Sequence, residues 1–403
     1  MRLIILILLL SCCFNASIAQ SLTISGKVTE DDGKAIYGAQ VFLNGTSISL
    51  TSDKEGNFKL TGLSAGNYEL IVNLLGYKTF SRPLLVDKDL TVNVELAFNV
   101  VALKEVIVKP DPHRETNLQV FKENFLGMSA NAKYCRILNP EALNISFDAS
   151  KNVMEADSGG DFLLIENKAL GYTIKYLLLD FRLNFTTNIL TYQGKTYYED
   201  LAGSSSRKKR WNSNRIQAYY GSVQHFLTAV YNRNVYREGY TINRLIRKPN
   251  PDRPSDSVIN ANIRKHAKLR NGTMTIGNDD SSTFWINKRK LPKVMQYLIK
   301  GNITTDTMLR AGDGEIRQLR FNDCLYVTYT KEREPVEYST RRNTYPRPLD
   351  EPNYQVSIIT LDGRYAAIDP KGSLTDPLSL FFEGYWAFEK VADLLPTDYV
   401  PPK

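Results

Sequence analysis

The chain has 403 residues, 42% of them hydrophobic and 23% charged, with a formal net charge of +8. That length predicts two domains, and the composition excludes a chain too polar to bury a core. The cations cluster at Arg207–Arg210 and from Arg244 to Arg270, a pattern that suits nucleic acid, anionic lipid or anionic glycan.

Arg2, the apolar run Leu3–Leu10 and the small residues up to Ser17-Ile18-Ala19 have the form of a signal peptide over residues 1–19, leaving Gln20 first. The run is shorter than the ~20 residues a membrane span needs, and no later segment is apolar enough, so no transmembrane helix is expected in the mature chain. Leu10-Ser11-Cys12 also offers a poor lipidation site. Export removes nucleic acid from the expected partners. Cys12 and Cys13 leave with the signal. Cys135 and Cys324 remain, either as a disulfide or as two buried free thiols.

From Leu22 to Phe98 the pattern is period two. Leu22, Ile24 and Val28 alternate with polar residues, as do Val41 and Leu43, Phe58 and Leu60, Tyr68 to Leu74, and Val92 to Leu96. Asp31-Asp32-Gly33, Asn44-Gly45, Asp53–Gly56 and Ser64-Ala-Gly66 supply the turns between them. About seven short antiparallel strands in about 80 residues predict a small sandwich. The high tyrosine count, 23, agrees with a strand-rich chain.

Specific residues extend this. Gly26-Lys-Val28, Gly38-Ala-Gln-Val41, Thr51-Ser-Asp53-x-x-Gly56-x-Phe58, Leu63-x-x-Gly66-x-Tyr68 and Leu75-Gly76-Tyr77 resemble the carboxypeptidase-regulatory-like domain. That family implies a transthyretin-like β-sandwich over residues 20–108, common in exported Bacteroidetes proteins and not itself a peptidase. Ala35 replaces the proline usual before the Gly-Ala step. Leu103–Val108 is similar to the segment that follows this module in TonB-dependent receptors, but reads more simply as a last edge strand leading into a linker. Lys109–Arg114, with two prolines, is the expected linker.

Residues 115–403 predict an α+β domain with antiparallel strands and at least two helices. Asn117 caps the first, with Leu118, Phe121 and Phe125 on one face and Gly127 as its stop. Strands are expected at Leu143–Phe147, from Tyr172 to Leu178 and from Asn188 to Tyr198, with a turn or bulge at Gln193-Gly194. A second helix is expected from Trp211 to Asn232, with Tyr219, Val223, Phe226 and Val230 as its stripe and Gly221 packed closely inside it. Further strands are predicted at Tyr240–Arg247, Thr283–Asn287, Leu325–Tyr329 and Tyr354–Leu361, with loops at Lys248–Pro254 and Lys331–Pro352. Asn124–Gly127, Cys135–Pro140, Leu170-Gly-Tyr172, Arg210-Trp-x-x-Asn214-Arg215, Tyr219–Ser222 with His225-Phe226, and Gly384-Tyr-Trp386 resemble a family of exported Bacteroidetes proteins with no known activity.

Chemistry is sparse. His113, His225 and His266 show no metal-ligand spacing, and no cofactor motif occurs. Ser222 and His225 stand three apart on one predicted helix, without a nucleophile elbow or an identifiable acid. Asp157 with Asp161, and Asp279 with Asp280, are the carboxylate pairs that glycoside hydrolysis would need, but both lie in turn sequences where aspartate serves the backbone. No catalytic, cofactor or metal residue is assigned. Arg207, Lys208, Lys209, Arg210 and Trp211 form a candidate anionic-polymer site, the indole adding stacking. The expectation is therefore an exported, mainly β protein of the periplasm or outer membrane, with a non-catalytic binding or scaffold role. Its expected partner is an envelope protein or an anionic glycan. A hydrolase of envelope glycan or peptide, and an accessory of a TonB-dependent uptake system, are the alternatives.

Overall fold

The computed structural model describes residues 21–99, 112–270, 273–276, 280–301, 303–340 and 352–402. The expected signal peptide with Cys12, the Leu103–Val108 segment, the first part of the linker, and Asp279 lie outside the described residues.

Residues 22–95 form eight strands: β1 (Leu22–Thr29), β2 (Gln40–Leu43), β3 (Ser49–Thr51), β4 (Asn57–Leu63), β5 (Gly66–Asn73), β6 (Phe80–Val86), β7 (Leu90–Thr91) and β8 (Val94–Glu95). They make two sheets. In one, β1 pairs β4 antiparallel and β7 and β8 in parallel; the other runs β3-β2-β5-β6, antiparallel throughout. The alternating residues Ile24, Val28, Val41, Leu60, Leu70, Val72 and Val94 face one shared core. The turn after β3 is held by Asp53, whose Oδ1 accepts from the backbone N–H of Glu55 at 3.0 Å and of Asn57 at 2.7 Å. At the β4–β5 corner the Tyr68 hydroxyl donates to the Ser64 carbonyl at 3.1 Å.

The next unit opens with α1 (Arg114–Phe125), which buries Leu118, Phe121 and Phe125 as expected and gives way at Gly127, where φ is +98°. It starts before the predicted cap. Arg114 belongs to the helix rather than the linker, and the Asn117 N–H bonds the His113 carbonyl at 2.8 Å. Six strands follow: β9 (Cys135–Ile137), β10 (Asn144–Asp148), β11 (Val153–Asp157), β12 (Leu163–Asn167), β13 (Tyr172–Asn184) and β14 (Ile189–Asp200). The 13-residue β13 is the spine. β14 runs along one edge, while β12 and β11 share the other. Leu178 faces Gly194 and Asp180 faces Gln193, so Leu179 bulges opposite the predicted Gln193-Gly194 irregularity.

The single helix expected from Trp211 to Asn232 is two helices, α2 (Ser205–Tyr219) and α3 (Val223–Tyr231). Gly221, at φ +84°, ends the run, and the Ser222 hydroxyl starts the next by accepting from the His225 N–H at 3.2 Å. The third unit then adds β15 (Tyr240–Pro249), α4 (Asp256–His266), the hairpin β16 (Ala267–Arg270) and β17 (Thr273–Ile276), α5 (Asp280–Lys290), and β18 (Val294–Ile299). It closes with β19 (Leu309–Ala311), β20 (Arg317–Leu319), β21 (Cys324–Arg333), β22 (Tyr354–Leu361), β23 (Ala366–Ile368) and β24 (Leu380–Gly384). Its main antiparallel sheet has the order β18-β15-β21-β22-β24. The strand predicted at Thr283–Asn287 lies inside α5. Its Phe-Trp-Ile run has strand propensity, but Lys288, Arg289 and Lys290 complement the helix dipole at the C-terminal turn. The loop expected from Lys248 begins later, because β15 continues through Pro249. Lys331–Arg333 likewise extend β21.

Among the described residues, 115–403 thus hold two large cores, one around Phe121, Ile165, Ile174 and Phe181, the other around Phe226, Tyr240, Leu325 and Trp386, and a smaller cluster around Leu245, Tyr326 and Ile358. The C-terminal tail ties them. Val391 and Leu395 return to the first of these cores, and Asn167 Nδ2 donates to the Ala392 carbonyl at 2.9 Å. The sandwich is docked onto the rest. Phe42, Ile71 and Tyr197 form a buried plug, the Gly45 N–H donates to Thr196 O at 2.7 Å, and the Tyr198 N–H donates to Thr46 O at 3.0 Å. Among the described residues no helix is long and apolar enough to cross a membrane.

Candidate functional site

Helix α2 carries the predicted cationic cluster on its first two turns. Residues 205–210 are all exposed, the first turn contains no acid, and Ser204 provides no side-chain cap. Arg207, Lys208, Lys209 and Arg210 therefore stand at the positive end of the helix dipole. Among the described residues none of them pairs with a carboxylate. The arrangement is electrostatically unfavourable within the chain and favourable toward an external polyanion.

Trp211 is placed differently from its predicted role. It is only 5% exposed, and its Nε1–H donates to the Lys168 carbonyl at 3.0 Å. The ring lies so close to Gly171 that a Cβ there would come within 2.2 Å of it. A ring so enclosed cannot stack on a sugar, so Trp211 serves to anchor the helix. Asn214 and Arg215 finish the anchor one turn on. Asn214 Nδ2 donates to the Ala169 carbonyl at 2.8 Å, Arg215 Nε donates to the Leu170 carbonyl at 2.7 Å, and the guanidinium lies 3.7 Å over the Tyr172 ring. Positions i, i+3 and i+4 share a helix face, so Trp211, Asn214 and Arg215 clamp the Lys168–Gly171 turn together, while the cations on the turns before them are exposed. The Arg210-Trp-x-x-Asn214-Arg215 and Leu170-Gly-Tyr172 motifs are thus two halves of one clamp.

His225 is buried on α3. Burial lowers its pKa, against the opposing pull of Glu238, so the ring is neutral near pH 7. Burial holds the Tyr240 hydroxyl protonated. It donates to Nδ1 at 2.8 Å, and the Gly221 N–H donates to the same nitrogen at 3.1 Å. The proton therefore sits on Nε2, which faces Glu238 Oε2 at 3.3 Å. Glu238 is the orienting acid that sequence reasoning missed; it lies in the loop before β15, where no periodicity marks it. The Ser222 hydroxyl is occupied as the α3 cap, so Ser222 and His225 are not a nucleophile and base facing a substrate. Neither the cleft lined by Arg244, Met308 and Arg320 nor that lined by Val120, Phe147 and Phe185 includes His225.

Asp157 and Asp161 serve the backbone of their turn. Asp157 Oδ1 accepts from the Gly159 N–H at 2.8 Å, and Asp161 Oδ1 from the Phe162 N–H at 2.7 Å. Asp280 opens α5, and Asp279, its partner in the expected pair, lies outside the described residues. Cys135 and Cys324 are free. Burial, with Asp393 adding to it, pushes the Cys135 thiol up to about 12. Among the described residues no three His, Cys, Asp or Glu side chains converge to hold a metal. A second group missed in the sequence is a set of carboxylates near the C-terminal tail. Burial pushes Glu389 well up, with Asp393 and Glu332 adding to it, and raises Asp393 to about 6 against hydrogen bonds from Ser129 and Asn131.

Residues 24–108 match the family model of the CarboxypepD_reg-like domain. No curated protein matches the chain. Among solved structures, the chain is similar to an interface mutant of a type II cohesin–X-dockerin complex from Acetivibrio cellulolyticus, at 21% identity over 19% of this chain and 56% of that one, TM-score 0.17. It is similar to a streptococcal ancillary pilin at 19% identity over 20% of this chain and 34% of that one, TM-score 0.18. It is also similar to a DUF3823 family protein from Parabacteroides merdae ATCC 43184, at 15% identity over 48% of this chain and 86% of that one, TM-score 0.17. The chain spans about half the length of the first of these structures.

Proposed function

We propose that this protein, a CarboxypepD_reg-like sandwich docked on two further units, is an exported cell-envelope protein that binds an anionic glycan through the exposed start of α2. The observation that carries the proposal is the set of four cations, Arg207 to Arg210, unpaired among the described residues and exposed on the first turns of a helix whose following turns are clamped to the Lys168–Gly171 turn. A helix already held in place adds no backbone ordering cost on binding, and the attraction of its cations for a polyanion is screened by salt. The role is binding rather than catalysis. His225 and the Tyr240 hydroxyl are both buried, and Asp157 and Asp161 are engaged with their own turn.

The test is retention on dextran sulfate compared with uncharged dextran. Wild-type protein is retained on dextran sulfate and released by added salt, and Arg207→Ala/Lys208→Ala/Lys209→Ala/Arg210→Ala elutes at distinctly lower salt with an unchanged circular dichroism spectrum. Equal elution of wild type and the fourfold variant overturns the assignment.

A further inference from the structure

The turn between α2 and α3 is held by a group that can change its charge. The Gly221 N–H donates to His225 Nδ1 at 3.1 Å, and the Tyr240 hydroxyl donates to the same nitrogen at 2.8 Å. The turn joins two cores. Tyr219, at the end of α2, packs into the core of the second unit, and Phe226, on α3, into that of the third. The Gly221 carbonyl is fixed as well, accepting from Trp386 Nε1 at 2.7 Å. The neutral imidazole therefore helps to hold the peptide at which one helix gives way to the next.

Protonation cannot leave this arrangement as it is. A charged imidazole donates from both nitrogens, so Nδ1 ceases to accept. The Tyr240 hydroxyl can adapt, because it can accept from Nδ1 and donate instead to the Ser222 carbonyl at 3.4 Å. A backbone N–H has no such freedom. It must find another acceptor or stay buried without one, which is costly. An acceptor stands nearby. Gln355 Oε1 is buried without a hydrogen-bond partner among the described residues, 2.9 Å from where a Cβ on Gly221 would be. Two acceptors thus lie close to the Gly221 peptide, and Nδ1 is the one in use.

The groups around the ring come from several elements. Tyr219 and Tyr220 at the end of α2, Tyr240 of β15 and Tyr329 of β21 surround it. Burial raises the pKa of Tyr219, Tyr240 and Tyr329, so these stay uncharged at neutral and acid pH. Glu332 of β21, whose pKa burial raises, accepts from Gln355 Nε2 of β22 at 2.9 Å. Glu238, from the loop before β15, faces Nε2 at 3.3 Å, and Lys331 of β21 stands 4.0 Å from the same carboxylate. Burial lowers the His225 pKa, Glu238 opposes this, and Lys331 adds to the lowering. The ring therefore takes up its proton below the usual histidine value of ~6.5, and its charged form pairs with Glu238.

We propose that His225 is a proton-operated latch on the α2–α3 turn: neutral, it holds the Gly221 N–H; protonated, it releases that N–H toward Gln355 and pairs with Glu238. The two helices sit in different cores, so release loosens the link between the second and third units as the medium becomes acid. The latch stands or falls independently of glycan binding by the α2 cations.

The experiment uses the full chain. NMR of isotope-labelled histidine follows the ring, one of three histidines in the chain. Hydrogen exchange of the peptide spanning Gly221, read by mass spectrometry and corrected for the intrinsic effect of pH, follows the released N–H. From about pH 7.5 to about pH 4.5, protection at Gly221 falls about tenfold in step with His225 protonation, while β13 keeps its protection. Glu238→Gln removes the charge that favours the protonated ring, and moves both changes to lower pH by about one unit. His225→Asn offers the Gly221 N–H an amide oxygen that takes up no proton, and holds protection constant. If His225→Asn does not fold, the Glu238→Gln shift decides alone. Protonation of His225 with unchanged protection at Gly221 overturns the proposal. So does a ring that stays neutral until β13 itself loses protection, and so does a Glu238→Gln protein that titrates like wild type.

Discussion

Trp211, Ser222 and His225 have side chains suited to binding or catalysis, and all three are used inside the fold. Each has a polar atom that must be satisfied once buried: the indole N–H by Lys168, the hydroxyl by the α3 backbone, and the imidazole by Tyr240, Gly221 and Glu238. The tail carboxylates carry a different cost, because burial opposes their charged form. Glu389 is favoured in its protonated form by burial and by nearby Asp393 and Glu332. Its folded pKa is raised, so from pH ~4.5 upward the unfolded chain releases this proton while the folded chain keeps it, and stability falls as pH rises toward the folded value. Asp393 acts in the same sense up to about 6. The neutral His225 acts in the opposite sense below its unfolded pKa, since the unfolded ring takes up a proton. Comparing variants cancels its effect. Thermal denaturation should show wild type losing more melting temperature between pH 5 and pH 8 than Glu389→Gln. Parallel curves for the two proteins would contradict the raised pKa.

Among the elements, the break between α2 and α3 has the clearest consequence. A single helix would carry the cationic turns and the His225 face on one rod. The turn at Gly221 lets α2 clamp the second unit while α3 enters the core of the third. A Cβ at position 221 would lie 2.9 Å from both Gln355 Oε1 and the Tyr329 ring, at a φ of +84°. Gly221→Ala should cost about 2 kcal/mol or more from the left-handed backbone and the overpacking together, read as a lower urea midpoint with unchanged slope. The Gly-Ser pair was legible as a stop followed by a cap. The apolar spacing across it suggested one continuous helix, because Tyr219, Val223, Phe226 and Val230 keep helical spacing through the break. In α5 the error ran the other way. Phe284, Trp285 and Ile286 favour a strand only where a neighbouring strand pairs with them, and here that segment forms its hydrogen bonds within a helix.

For the whole molecule, the sandwich is a docked part of the fold. Phe42 and Tyr197 pack with ring centroids 4.7 Å apart, and Phe162 packs edge-on against Tyr197 at 5.5 Å. Lys195, Ser81 and Asn44 hydrogen-bond Glu69 and bring its carboxyl below the usual range although burial opposes this. Lys371 from the third unit reaches the Tyr68 hydroxyl at 2.7 Å. Such an interface couples the unfolding of its parts. Calorimetry of wild type should give one main transition, and Tyr197→Ala, which removes about 3 kcal/mol or more of buried ring, should split off an earlier one for the sandwich. A single unshifted transition in the variant would show that the plug carries little of the coupling.

Local pattern was enough for the sandwich. Its strands alternate, its turns carry Asp, Asn and Gly where the backbone needs them, and residues 24–108 match a family model. The bulge at Gln193-Gly194 and the apolar face of α1 were legible for the same reason: period and turn chemistry act between residues close in sequence. The rest depended on contacts across the chain. Glu238 beside His225, the clamp on Trp211 and the second core within residues 115–403 are set by which surfaces meet. Side chains are sorted by burial and by their polar partners, and both come from segments far apart in the sequence.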